Sequence, residues 1–314
     1  VTVPVPVEQV AGWCVRWLGH PPVDILFTAG HLSTVVGARL FDGRRVVIKA
    51  RPLPPARVAA SAGVQASLSG IGFPCPLPLA GPQPLGPLTA TAETYLPGGA
   101  ILPAGADLTV VSARALARLI ALTPPADTVA DLDPPPPWAW PLHDQGEIWP
   151  VPDDCDADLN AHPGPPWLDV LGHRIRDRLN QCRPSLYPPV VGHIDWEAQN
   201  LRWTDDGHLH AVHDWDSLAI QPEPVTVGLA AAVHTATGHP FTEATTGQAQ
   251  AFLTAYQQAR HRTFTPDETQ QAWAAGLWVR AFNAKKATLN PNAPTEILDQ
   301  LADHARERLR LAGI

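Results

Sequence analysis

No stretch of this sequence approaches the ~20 consecutive apolar residues that a membrane-spanning helix needs, so no membrane partner is expected. The first residues, VTVPVPVEQV, lack the basic end and apolar core of a secretory signal, and the expectation is a cytoplasmic chain. Cysteine is scarce: Cys14, Cys75, Cys155 and Cys182 lie far apart and form no CxxC pair. That spacing supports neither a disulfide framework nor zinc, and it suits a reducing compartment. The formal net charge of −8 argues against nucleic acid as a main partner. Only three of the 22 basic residues are lysine, and residues 50–92 contain no Asp or Glu.

What is present describes a globular protein. With 314 residues, 45% apolar and 17% charged, the chain is long for one core, and two lobes are expected. The charge is divided unevenly. Residues 1–96 carry seven Lys/Arg against four Asp/Glu, or +3, and the remainder carries −11. A basic first part suits an anionic ligand and an acidic second part a cationic one, although an acidic surface also serves solubility alone.

Hydrophobic period gives the elements. Val10, Cys14 and Leu18 lie four apart within a helix over 8–18. Strand-like runs follow, ILFTAG, STVVGARLF and RRVVIKA, the last two joined by the hairpin signal Asp42-Gly43. A helix is expected from about Arg57 to Leu68, then the Pro/Gly-studded GFPCPLPLAGPQPLGP, then a strand, TATAETYL. Pro97-Gly98-Gly99 marks the expected boundary between a lobe of 1–96 and one of 97–314, with a hinge near 93–97. Helices are expected at 110–122, 167–182, 223–236, 244–260, 267–287 and 294–312. Residues 124–166, rich in Pro, Trp and Asp, read as a long loop or insertion.

The densest chemistry lies in VVGHIDWEAQNLRWTDDGHLHAVHDWDSL, residues 190–218. NLRWT and HLHAVH form an antiparallel hairpin around Asp205-Asp206-Gly207, which sets Asn200 opposite Asp214 or its neighbour. Asp195 occupies the loop feeding the first strand. An amide oxygen and two carboxylates thus converge, hard ligands suited to Mg²⁺ carrying phosphates. A transition-metal site in HLHAVH is disfavoured, because His208 and His210 share one strand face and His213 takes the other.

HIDWEAQN resembles the catalytic loop of the aminoglycoside phosphotransferase and choline-kinase group, His-Gly-Asp with Asn five residues after the Asp. HDWD resembles that group's metal-binding Asp motif. The resemblance implies a two-lobed, protein-kinase-like α+β fold, with an antiparallel sheet plus helix in the small lobe and a mainly helical large lobe. It implies Mg²⁺-dependent transfer of the γ-phosphoryl of ATP or GTP to a hydroxyl of a small molecule. Asp195 would be the catalytic base, braced by His193, with Asn200 and Asp214 on magnesium. Asp216 and Trp196 are candidates for meeting the acceptor, and Asp216 also for the metal site.

In the small lobe the resemblance makes Lys49 of VVIKA the phosphate-gripping lysine, and it sets backbone groups around Glu93, Tyr95 and Leu96 against the base. Two features depart from the group. FTAGHLSTVVG has no GxGxxG pattern, which leaves Ser33 and Thr34 as the phosphate-loop candidates. The helix expected from about Arg57 to Leu68 lacks the glutamate that the group pairs with this lysine; Gln65 stands about where it would be and cannot neutralise an ammonium. That departure keeps open a non-catalytic, ligand-binding member of the fold. The acidic cluster at 153–158 suits a polycationic, aminoglycoside-like acceptor, or is a solvated loop. Trp138, Trp140, Trp149 and Trp167 could stack on an acceptor or anchor the proline-rich segment.

Overall fold

A computed structural model of the chain describes residues 5–30, 33–136, 138–139, 147–181, 188–238, 243–290 and 296–314. Trp140 and Cys182 lie outside the described residues.

Helix α1 (Val7–Leu18) buries Val10, Trp13, Cys14 and Leu18 along one face. Strands β1 (Pro22–Gly30), β2 (Thr34–Leu40) and β3 (Arg45–Arg51) follow, then helix α2 (Pro55–Gly70) and strands β4 (Pro78–Leu85) and β5 (Leu88–Thr94). They form one antiparallel sheet in the order β1-β2-β3-β5-β4. Strand β4 arises within the segment read from sequence as an irregular Pro/Gly connection. Its prolines cannot donate to a ladder, and β4 accommodates them by standing at the sheet edge with two register shifts.

Alternation along β3 divides the sheet into two faces. Val46, Ile48 and Ala50 join Val36, Ala38, Leu40, Ala90 and Ala92 in a core covered by α1. Val47, Lys49 and Arg51 therefore point to the opposite face, toward α2. The buried side of α2 does not belong to the sheet core: Val64 and Leu68, with Phe73 and Cys75, join the large core of the rest of the chain.

That larger part contains α3 (Ala106–Leu122), α4 (Pro166–Asn180), α5 (Glu223–Val233), α6 (Thr246–Arg260), α7 (Pro266–Ala287) and α8 (Glu296–Leu311). Two short antiparallel pairs complete it: β6 (Pro189–His193) with β9 (Leu218–Pro222), and β7 (Leu201–Trp203) with β8 (Leu209–Val212). All eleven residues of α5 are buried. Its contact with α7 is close because Gly228 has no side chain: a Cβ there would stand 2.0 Å from the Ala272 carbonyl oxygen.

Between α3 and α4, a three-residue turn at Ala126–Thr128 is the one helical or strand element among the described residues. The segment is nonetheless anchored. Leu132, Ala139, Ile148, Trp149 and Leu159 are buried in the large core. Trp149 stacks on Trp278 at 5.5 Å between ring centres and donates to Asp169 at 2.6 Å. The indole of Trp278 donates to the Trp138 carbonyl at 2.8 Å. Of the tryptophans read from sequence as stackers or anchors, Trp138 and Trp149 anchor; Trp167 is 39% exposed.

Candidate active site

Two nested hairpins build the site. The outer pair sets His193 opposite Leu218, and the inner pair sets Leu201 opposite Val212. Both connecting loops, 194–200 and 213–217, therefore emerge at the same end. They are tied together by Ile194 N–H to the Ser217 carbonyl (2.9 Å) and His213 N–H to the Asn200 carbonyl (2.9 Å). Asn200 thus lies opposite His213, the neighbour of Asp214. The buried His193 contributes a third tie, its Nε2 bonding the His213 carbonyl at 2.9 Å. Burial holds the His193 pKa below its ordinary value despite the charge of Asp214, so the ring is neutral and Nε2 carries the hydrogen.

Asn200 Nδ2 donates to Asp195 twice, to the main-chain oxygen (2.9 Å) and to Oδ2 (2.8 Å). This fixes the carboxylate and turns the Asn200 amide oxygen away from it. Burial, followed by repulsion from Asp214, pushes the Asp195 pKa up to about 7, against the stabilising Asn200 bond. The neighbouring Glu197 is pushed up to about 8, by burial and then by Asp195. Asp153 also raises Asp195, and Lys286 lowers it. Lys286 in turn bonds Asp154 at 2.8 Å. The acidic run of the 124–166 segment therefore faces the 194–200 loop, where it acts on the charge of Asp195.

Asp214 sits in the left-handed region, φ 64°, ψ 50°, an uncommon conformation for a residue with a side chain. Burial would raise its pKa, but Arg51 and then Lys49 outweigh it and hold the carboxyl well below the usual range. Arg51 Nη2 bonds Asp214 Oδ1 at 3.0 Å, and its Nη1 pairs with Asp216. Ser217 donates to Asp214 Oδ2 at 2.8 Å. Strand β3 thus reaches the second loop directly, and Lys49, two residues earlier, shares the same face.

Lys49 has a carboxylate partner. Its Nζ lies 2.8 Å from Glu93 Oε1, and Gln65 Nε2 donates to Glu93 Oε2 at 3.0 Å and to the Pro76 carbonyl at 2.8 Å. The side chain of Glu93 is what turns to the cleft; its backbone pairs with Val47 and Pro78 in the sheet. This corrects the expectation that Glu93 offers backbone groups to a nucleobase. The Tyr95 N–H is likewise taken, by the Arg45 carbonyl at 3.1 Å. The Tyr95 ring stands 6.0 Å from Phe27, whose ring fills the space left by Gly37. Ser33 and Thr34 lie at the β1–β2 turn, where Val35 pairs with Lys49. Trp196 is fully buried and donates to Ser112 Oγ at 2.9 Å. It is a structural residue, not the acceptor contact expected from sequence.

A family model described as "Phosphotransferase enzyme family" matches residues 27–263, which span both the β-sheet and the nested hairpins. The chain belongs to that family.

Solved phosphotransferase structures agree in fold. An amicoumacin kinase in complex with AMP-PNP, Ca²⁺ and Ami superposes with a TM-score of 0.64 at 12% identity, covering 98% of this chain and 93% of that one. A spectinomycin phosphotransferase in complex with ADP and spectinomycin gives 0.57 at 13%, covering 99% and 98%. A putative fructosamine-3-kinase from Thermobifida fusca gives 0.58 at 18%, covering 97% and 100%. The likeness shows the fold, a two-lobed kinase-like α+β architecture. No curated protein matches the sequence. Among the described residues, no helix is long and apolar enough to cross a membrane.

The donor set of the phosphotransferase suits a hard cation. Asp214 is ionised across the working range, and the Asn200 amide oxygen is turned away from Asp195. Among the described residues, no group of three His, Cys, Asp or Glu is assembled to hold a metal. Three participants were not singled out from sequence. Arg51 was detectable, because two residues from Lys49 on a strand means the same face. Glu197 stands two residues from Asp195 in the same loop, but only its burial shows that it shares the site, and Lys286 carries no such signal because long-range folding brings it to Asp195.

Proposed function

We propose that this phosphotransferase is a small-molecule kinase that moves the γ-phosphoryl of ATP to a hydroxyl of its acceptor. The observation that carries the reading is the meeting of Lys49 and Arg51 on β3 with the Asp195–Asn200 and Asp214 loops at one cleft. The boundary at 96/97 gives the sheet lobe the nucleotide and the helical lobe the acceptor. The amicoumacin kinase and spectinomycin phosphotransferase structures contain AMP-PNP and ADP, which supports ATP as donor.

In this reading Asp195 accepts the proton of the acceptor hydroxyl as that oxygen attacks the γ-phosphorus and ADP departs. A carboxyl near 7 has the basicity such a step needs at neutral pH. Lys49 holds the α/β-phosphates, and Ser33 and Thr34 cover them. Asn200 and Asp214 are the residues to hold Mg²⁺, which neutralises phosphate charge when bound. His193 keeps the two loops in register. The carboxylates of Asp153, Asp154 and Asp195 around Lys286 favour a cationic, aminoglycoside-like acceptor.

A second reading, a non-catalytic nucleotide- or ligand-binding member of the fold, is favoured by one observation: Arg51 engages both Asp214 and Asp216. An acceptor screen beginning with aminoglycosides, read as ADP formation, decides between them. Turnover lost in Asp195→Ala supports the kinase; MgATP binding with no transfer to any acceptor supports the binding protein.

A further inference from the structure

The helix facing Lys49 carries no acidic residue, yet the lysine is paired. Glu93 is the next acidic residue after Asp42, and it stands on the neighbouring strand rather than on the helix. In the sheet register Val47 faces Glu93 and Lys49 faces Thr91, so Glu93 reaches Lys49 diagonally, a separation long side chains span. The carboxylate is 8% exposed and the ammonium 13%. The space they share with Gln65, Thr91 and Trp215 holds about 30 Å³, room for about one water or two. Low exposure therefore leaves the pair only weakly screened by solvent.

We propose that Glu93 is the positioning residue for Lys49, and that the ammonium is oriented by a clamp built into the sheet rather than by a glutamate on helix α2. The inference rests on the kinase reading above and specifies how its lysine is held. Each Glu93 oxygen has one donor, Lys49 on Oε1 and Gln65 on Oε2. Gln65 uses both amide hydrogens, one on Glu93 and one on the Pro76 carbonyl. The helix thus supplies a neutral strut, and the charge comes from β5. In this arrangement β3 and β5 fix the geometry of the pair through main-chain hydrogen bonds. A shift of α2 loosens the strut and leaves the Lys49–Glu93 contact in place.

The arrangement also accounts for Gln65 being an amide. A carboxylate at 65 would lie against Glu93 in a buried site with one lysine between two negative charges, and one of the two would have to take up a proton. The charge can occupy either position but not both. This exclusivity makes a swap the decisive experiment.

Glu93→Gln, Gln65→Glu and the swap Gln65→Glu/Glu93→Gln are to be compared with wild type for MgATP affinity and for kcat and KM of ADP formation. Glu93→Gln is expected to weaken productive nucleotide use by about ten- to a hundredfold, because a charged hydrogen bond in a dry site is lost. The swap is expected to recover most of that loss, which a purely structural role would not do. Unchanged kinetics in Glu93→Gln, or a swap no better than the single variant, overturns the proposal. A nucleotide-free arm keeps it separate from the kinase reading. Melting temperatures of Lys49→Met, Glu93→Gln and the double variant should be strongly non-additive; additive shifts overturn the clamp whether or not the protein binds ATP.

Discussion

Asp195→Asn should stabilise the apo protein, and should do so more at pH 8 than at pH 5. The folded protein raises this carboxyl from its ordinary 3.8 to about 7, so folding disfavours its ionised form. The penalty is absent below the unfolded pKa, grows as pH rises through the interval, and is complete above about 7. At about 1.36 kcal/mol per pH unit, its ceiling is about 4 kcal/mol at pH 8 and under about 2 kcal/mol at pH 5. Asp195 is only partly covered, and water entry lowers these values, so about 2 kcal/mol at pH 8 and under about 1 at pH 5 is the working expectation. The amide oxygen of Asn keeps an acceptor for Asn200, so the substitution removes charge without orphaning a donor. In a chain of this size the difference at pH 8 corresponds to about 3–6 °C in melting temperature. Thermal melts of wild type and Asp195→Asn at both pH values are the assay. A variant less stable than wild type at pH 8, or an equal gain at both pH values, refutes the reasoning that burial and Asp214 strain this carboxylate.

Other perturbations test neighbouring parts of the account. Arg51→Gln removes the paired cation of Asp214 and Asp216, leaving Lys49 as the remaining positive charge near Asp214, and should lower stability by about 2–4 kcal/mol in calorimetry; millimolar Mg²⁺ should restore part of the loss, since a bound metal supplies the missing charge. Gly228→Ala forces a methyl to within 2.0 Å of the Ala272 carbonyl and should cost about 3 kcal/mol or more, or prevent folding, read from denaturant melts. The rate of ADP formation by the free enzyme should climb with pH through about 7 and then level, because Asp195 must be ionised to accept a proton. Asp153→Asn removes a like charge and should move that limb to lower pH.

The elements were legible where the period was clean. Val10, Cys14 and Leu18 announce α1, and Asp42-Gly43 announces the β2–β3 hairpin. Strand β4 was hidden because its three prolines read as punctuation, and only the sheet-edge position makes them acceptable. In the site, spacing alone brought Asp195, Asn200 and the 213–214 pair together, since strand register converts sequence distance into contact. The partner of Lys49 was missed for the opposite reason. Its absence from α2 was read as a loss, whereas the charge had moved to β5 and only the three-dimensional register shows Glu93 reaching across. Trp196 looked like a contact residue beside Asp195, and burial against Ser112 removed it. The acidic 153–158 run gave no sign of its direction until Trp149 and Lys286 were seen to pin the segment against α7.

Calorimetric titration of MgATP and MgGTP into wild type and Asp214→Asn tests the central claim most directly. The account predicts magnesium-dependent binding of ATP to the wild-type protein and its loss in Asp214→Asn, with the fold intact by melting. Absence of nucleotide binding at millimolar concentration, or binding indifferent to magnesium and to Asp214, would contradict it.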